Sequence, residues 1–137
     1  MPDESDEPWL EHVPADGLAP GDGYSHVVVG EGQLVAVSGQ VALDGDGNVV
    51  GKGDAAAQAR QVFENLRRCL AAGGATFAEV SRFTVYVTDI AILPEVWRVR
   101  DAYVDTANPP ASTAVQVSAL YRPELMVQVE ALALIPW

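Results

Sequence analysis

The sequence predicts an α+β domain whose segments run β-β-α-β-α-β-β. Three observations carry that reading. Strand-like and helix-like patterns are mixed along the chain rather than segregated. Two strand-like runs lie close together at each end, as hairpins would. One long amphipathic helix with clear start and stop signals lies between them. One sheet with two helices packed on one face is the expected architecture.

The elements follow in order. Residues 1–23 hold four of the nine prolines and three glycines and read as an irregular arm. Tyr24-Ser25-His26-Val27-Val28-Val29 and Leu34-Val35-Ala36-Val37-Ser38-Gly39 read as two strands joined by a Gly-rich turn. Residues 44–53 are a turn cluster with a short extended piece inside. Asp54 then stands as an N-cap. Ala59, Val62, Phe63, Leu66, Cys69 and Leu70 recur at helical spacing, and Gly73-Gly74 closes the run. Cys69 reads as a small core residue. Val80 to Ile90 is β-branched and aromatic, a strand. Pro94 starts a second helix with Val96, Val99 and Tyr103 on its stripe, ending before Asn108-Pro109-Pro110. Ser112–Ser118 and Met126–Leu134 read as the last two strands, linked by a turn around Arg122-Pro123.

Length and charge exclude several classes. At 137 residues, there is room for one domain and one core. The chain divides into an acidic arm over 1–23 and a folded domain over 24–137. The arm has no basic or apolar signal-peptide regions, and no run is long enough to span a bilayer, so a cytoplasmic location is expected. A single cysteine leaves no disulfide framework and no cysteine zinc site. No His, Asp and Glu cluster has metal-ligand spacing, and no glycine loop matches a phosphate-binding pattern, so neither metal nor cofactor is expected. Seven of the nineteen acids precede residue 23, leaving only −4 of the net −11 for the rest. One lysine and seven scattered arginines do not make a phosphate-tracking surface, which argues against nucleic-acid binding.

Strand alternation separates two sheet faces. Phe83, Val85 and Val87 oppose Arg82, Thr84, Tyr86 and Thr88. Thr113, Val115 and Val117 oppose Ser112, Ala114, Gln116 and Ser118. Val127, Val129, Ala131 and Ala133 oppose Met126, Gln128, Glu130, Leu132 and Leu134. One face is apolar and belongs under the helices. The other mixes Tyr86, Met126, Leu132 and Leu134 with Gln, Thr and Glu, a composition suited to a subunit interface. A homo-oligomer assembled through the sheet is the expectation.

At this point the chain resembles the Rid family, the YjgF-like proteins, also known as the L-PSP endoribonucleases. The matching pieces are Tyr24 after a Pro-Gly segment, Ser38-Gly39-Gln40, the helix around 61–80, Tyr86 to Asp89, Pro110-Ala111, and Val127-Gln128-Val129-Glu130-Ala131. Their order and spacing cover about Pro20 to the C-terminus. The resemblance implies a chorismate-mutase-like fold with one mixed sheet, a homotrimer with its sheets facing inward, and a small-molecule cleft between each pair of subunits. It also implies hydrolysis of reactive enamines and imines, with an Arg holding the substrate carboxylate and a Glu orienting water.

Here the sequence departs from the family. The cleft Tyr falls on Tyr24, the Ser-Gly pair on Ser38 and Gly39, and a helix Asn on Trp97. The Arg falls on Ser112 and the Glu on Gln128. Ser112 brings no charge, and Gln128 has no titratable carboxylate. Arg122 lies in a turn and is not expected to replace the lost fork. Glu130 shares a sheet face with Gln128 and offers a carboxylate; the preferred reading is a structural interface group satisfied by backbone or by Arg82. A Ser112–His26–Glu130 triad can be written from residue types alone, although His26 suits an edge-strand hydrogen bond. His12, in the arm, is expected in solvent. The leading expectation is a family trimer that binds or transforms a small organic molecule in its clefts without standard imino-acid deamination. An imine or enamine hydrolase with Glu130 as its water-orienting group, and a ligand-free structural or chaperone-like trimer, stand beside it. Ribonuclease activity fits the charge least.

Overall fold

Asp54 turns the chain into its long helix: its Oδ1 accepts the Ala57 N–H at 3.0 Å, satisfying one of the free donors of the first turn. The computed structural model describes residues 9–137. In it α1 spans Ala55–Ala72 and ends at Gly73, with Gly74 in the left-handed region at φ 85°. Ala59, Val62, Phe63, Leu66 and Leu70 are all fully buried, so the stripe read from the sequence is the core face. Helix α2 is shorter, Leu93–Arg100, with Pro94 in its first turn and Val96 and Val99 buried.

The strands are β1 (Leu10–Val13), β2 (Val27–Gly30), β3 (Gln33–Val41), β4 (Val80–Val87), β5 (Ala111–Gln116) and β6 (Val127–Ile135). Four of them form one mixed sheet in the order β3-β6-β4-β5, with only β4 and β5 parallel. Helix α2 makes the crossover that a parallel pair requires. Phe83, Val85, Val87, Val127, Val129, Ala131 and Ala133 are buried beneath the helices. This is an α+β fold with two helices and a mixed sheet.

Three local expectations are corrected. Leu10–Val13, expected to be irregular, forms β1, paired antiparallel with β2. Trp9 anchors it by donating its indole N–H to the Leu134 carbonyl at 2.9 Å, and Leu10 is buried. The two expected hairpins do not form. Strand β2 pairs with β1, and β3 leaves it to pair with β6. Gly32, at φ 147°, makes that exit; a Cβ there would overlap the Ile135 carbonyl oxygen. At the other end, β6 lies between β3 and β4, while β5 takes the sheet edge beside β4. A crossover can only bring its strand in parallel, and β6 then has the buried central place open to it.

The third correction is the orientation of β5. Its register sets Ser112 beside Phe83 and Ala114 beside Val85, so Ser112 and Ala114 face the helices. Thr113 and Val115 face the other way, and Val115 is 41% exposed. As an edge strand, β5 tolerates a valine on its open side because that side has few neighbours to define it.

Candidate functional site

The residues singled out by sequence fall into two groups. The first gathers at the start of β5. Ser25 donates its backbone N–H to the Pro110 carbonyl at 3.1 Å and pairs in parallel with Ala111, which sets Tyr24 alongside the Pro110-Ala111-Ser112 segment. The Tyr24 ring meets His26 edge to face at 5.2 Å. Trp97, half-buried on α2, lies under the Arg100 guanidinium at 4.8 Å. Arg100 in turn packs against the loop that carries Tyr24: a Cβ on Gly23 would lie 3.0 Å from its Nη2. Ser112 has its Oγ buried with no hydrogen-bond partner among the described residues.

The second group lies on the open face of the sheet. Gln128 pairs with Tyr86 and Val41, and Glu130 with Thr84. Ser38 and Gly39 occupy a β-bulge between Val37 and Gln40, where the register of β3 against β6 shifts. The Gln128 amide lies so close across Gly39 that a Cβ there would overlap its Nε2. Beside it is a hollow of about 460 Å³ lined by Ser38, Arg82, Thr84, Tyr86 and Glu130. Tyr86 donates its hydroxyl to Glu130 Oε1 at 2.6 Å. That bond, with the carboxylate charge behind it, holds the Tyr86 phenol above its usual pKa, while Arg82 pulls the other way. Glu130 is therefore held by Tyr86 rather than by backbone or Arg82.

The two groups do not converge within one chain. Ser112 points to the helix side of the sheet and Gln128 to the open side, with β4 between their strands. The triad written from residue types fails for the same reason: Ser112 and Glu130 are on opposite faces, and His26 Nε2 is already bonded to the Ala19 carbonyl at 2.6 Å. His12, expected in solvent, is partly buried, with Nδ1 2.9 Å from Ser25 Oγ. Arg122 is committed elsewhere, donating to the Gly47 carbonyl at 3.0 Å and stacking on Tyr121.

Sequence reasoning missed Arg100. It is 5% exposed, with Nε and Nη2 donating to Asp101 Oδ1 at 3.2 and 2.9 Å. No spacing rule separates it from Arg98 two residues earlier on the same short helix. Only the packing of α2 against the Gly23–Tyr24 loop selects it.

Residues 15–135 match the family described as Endoribonuclease L-PSP. The chain belongs to that family. Among the relatives of this L-PSP protein, Protein DfrA of Myxococcus xanthus is 41% identical over 111 residues, covering 80% of this chain and 83% of that protein. The 3-aminoacrylate deaminase RutC of Acinetobacter baylyi is 33% identical, covering 73% of this chain and 78% of that enzyme. Among solved structures, the Rid family protein YyfB of Yersinia pestis superposes with a TM-score of 0.85 at 33% identity, over 93% of this chain and 99% of that one. The YjgF gene product of E. coli gives 0.67 at 28% identity, over 77% and 84%.

Proposed function

We propose that this L-PSP family member is a homotrimer that binds or transforms a small organic molecule in clefts between its subunits, without standard 2-imino-acid deamination. One observation carries the reading. The positions that the family resemblance gives to a carboxylate-holding Arg and a water-orienting Glu are here Ser112 and Gln128, and they face opposite sides of one sheet. A site drawing on both sides of the sheet calls for a second subunit. The open face supports assembly, since Leu34 is 62% and Leu132 38% exposed beside the Tyr86–Glu130 pair. A stable interface covers such apolar groups. With a hydroxyl at 112 and an amide at 128, neither position supplies a charge or a general base near neutral pH.

The test is ammonia release from freshly generated 2-iminopropanoate, with Ser112→Arg/Gln128→Glu beside the wild type. The expected result is no catalysis by the wild type and a gain in the double variant. Turnover by the wild type overturns the reading. Light scattering at micromolar concentration gives the oligomeric state, with a trimer expected.

A second reading draws on the Tyr86–Glu130 pair. A carboxylate positioned by a phenol in a hollow beside Ser38 is equipped to orient water, which suits an enamine or imine hydrolase of rearranged residues. Wild-type turnover that survives Gln128→Ala and falls in Glu130→Ala selects it. The deaminase named among the relatives supports the same chemistry class.

A further inference from the structure

A further cavity lies beside the first group of candidate residues, sharing Pro110 with it but lined by neither Tyr24 nor Ser112. It holds about 610 Å³ between β1 and the segment that follows α2, within the range of small-molecule sites. Its floor is apolar, with Leu10, Val80 and Pro110 buried. Trp9 and Phe77 contribute aromatic rings, and the exposed rim carries Glu11 and Asp105. No Lys or Arg lines it.

The polar side chains there have most of their donors engaged, with one Asn108 amide N–H left over. The Trp9 indole N–H is given to the Leu134 carbonyl. The Asn108 amide donates to Asp105 Oδ2 at 3.4 Å. His12 follows from its neighbour. The Ser25 hydroxyl has one proton and donates it to the Pro109 carbonyl at 2.5 Å. His12 Nδ1, 2.9 Å from that same oxygen, must then carry the proton and donate to it. With that proton on Nδ1, the imidazole's other nitrogen, Nε2, has no hydrogen-bond partner among the described residues and is an acceptor in that tautomer. The lining thus offers acceptors: two carboxylates and an imidazole nitrogen, set over aromatic and aliphatic surface.

We propose that this cavity binds a small organic cation, an ammonium group on an aromatic or apolar body. The body would fill the floor between Trp9 and Phe77, where an aromatic face also attracts positive charge. The ammonium supplies donors to a lining rich in acceptors, and meets carboxylates at the rim. An organic anion of the same shape meets two negative charges and, against them, one amide N–H of Asn108. A neutral body keeps the apolar contact alone. The site is separate from the open-face hollow and from Ser112, and the proposal does not rest on the function proposed above.

The test uses the full chain and three probes with one phenyl body: 2-phenylethylammonium, 2-phenylethanol and phenylacetate. Binding is followed at the Trp9 indole N–H resonance, assigned with Trp9→Phe. The ammonium is expected to saturate the shift, with phenylacetate at least about tenfold weaker. Glu11→Gln/Asp105→Asn, two exposed positions, is expected to weaken the ammonium about tenfold with the melting temperature retained. Ala78→Lys places a cation on the exposed rim and is expected to reverse the preference toward phenylacetate. The proposal is overturned by no saturable ammonium binding up to about 5 mM. Equal binding of all three probes, or ammonium affinity unchanged in the folded double variant, also overturns it.

Discussion

Ser112 is the residue at which local chemistry and packing disagree most. Its hydroxyl is buried without a partner among the described residues, a state that costs roughly 1–3 kcal/mol. Ser112→Ala removes that cost and opens almost no space. Urea unfolding should show the variant more stable than the wild type, by about 1 kcal/mol or more. A clear loss of stability would mean that the hydroxyl is satisfied in solution. Gly32 is the opposite case, where no side chain is tolerated. Its φ of 147° disfavours any other residue, and a methyl group there would collide with the Ile135 carbonyl, where only backbone could yield. Gly32→Ala should cost about 2–4 kcal/mol, read as a fall in urea midpoint.

At the scale of elements, Gln58 does what no apolar residue at its place would do. It is wholly buried on α1. Its Nε2 donates to the Gly51 and Glu124 carbonyls at 3.1 and 2.8 Å, and its Oε1 accepts the Met126 N–H at 2.8 Å. One side chain thereby ties the helix to the turn before it and to the approach to β6. Gln58→Leu strands the Glu124 carbonyl and the Met126 N–H, while the Gly51 carbonyl keeps the Asp54 N–H at 2.9 Å, and should cost roughly 2–4 kcal/mol. Hydrogen exchange should speed first at the Met126 amide; unchanged protection there would refute this role. The same scale shows what periodicity reveals. Helix α1, with its Asp54 cap and buried stripe, is legible because helix signals are local. The hairpins are not, because partner choice is not local: β2 and β3 look like neighbours in the sequence, yet the turn at Gly32 sends them to different sheets.

Across the whole molecule, the tyrosines set the alkaline limit. Tyr86 is raised above 10.0 first by its hydrogen bond to Glu130, and Tyr103 first by burial and then by its bond to Glu64. The folded chain therefore keeps these protons at pH values where the unfolded chain has begun to lose them. With more protons bound in the folded state, stability falls as pH rises past the ordinary tyrosine value. The melting temperature should decline from about pH 10 upward. Phenolate absorbance should show a late-titrating component that Glu130→Gln shifts earlier; an unchanged titration would remove Tyr86 from this account.

Spacing within short windows, together with motif order, is enough to read the α+β class, the long helix, the apolar underside of the central strands and the family resemblance. The family resemblance nominates Tyr24, Ser38, Gly39, Trp97, Ser112 and Gln128, and face sharing adds Glu130, but neither gives their grouping. That Ser112 and Gln128 face opposite sides of the sheet follows from the register of β5 and β6 against β4, which exists only once the strands have paired. Packing alone buries Arg100 against the Tyr24 loop and lays β1 over the cavity beside His12. Those arrangements join residues as far as 125 positions apart, as Trp9 and Leu134 are, and no local pattern records contacts of that separation.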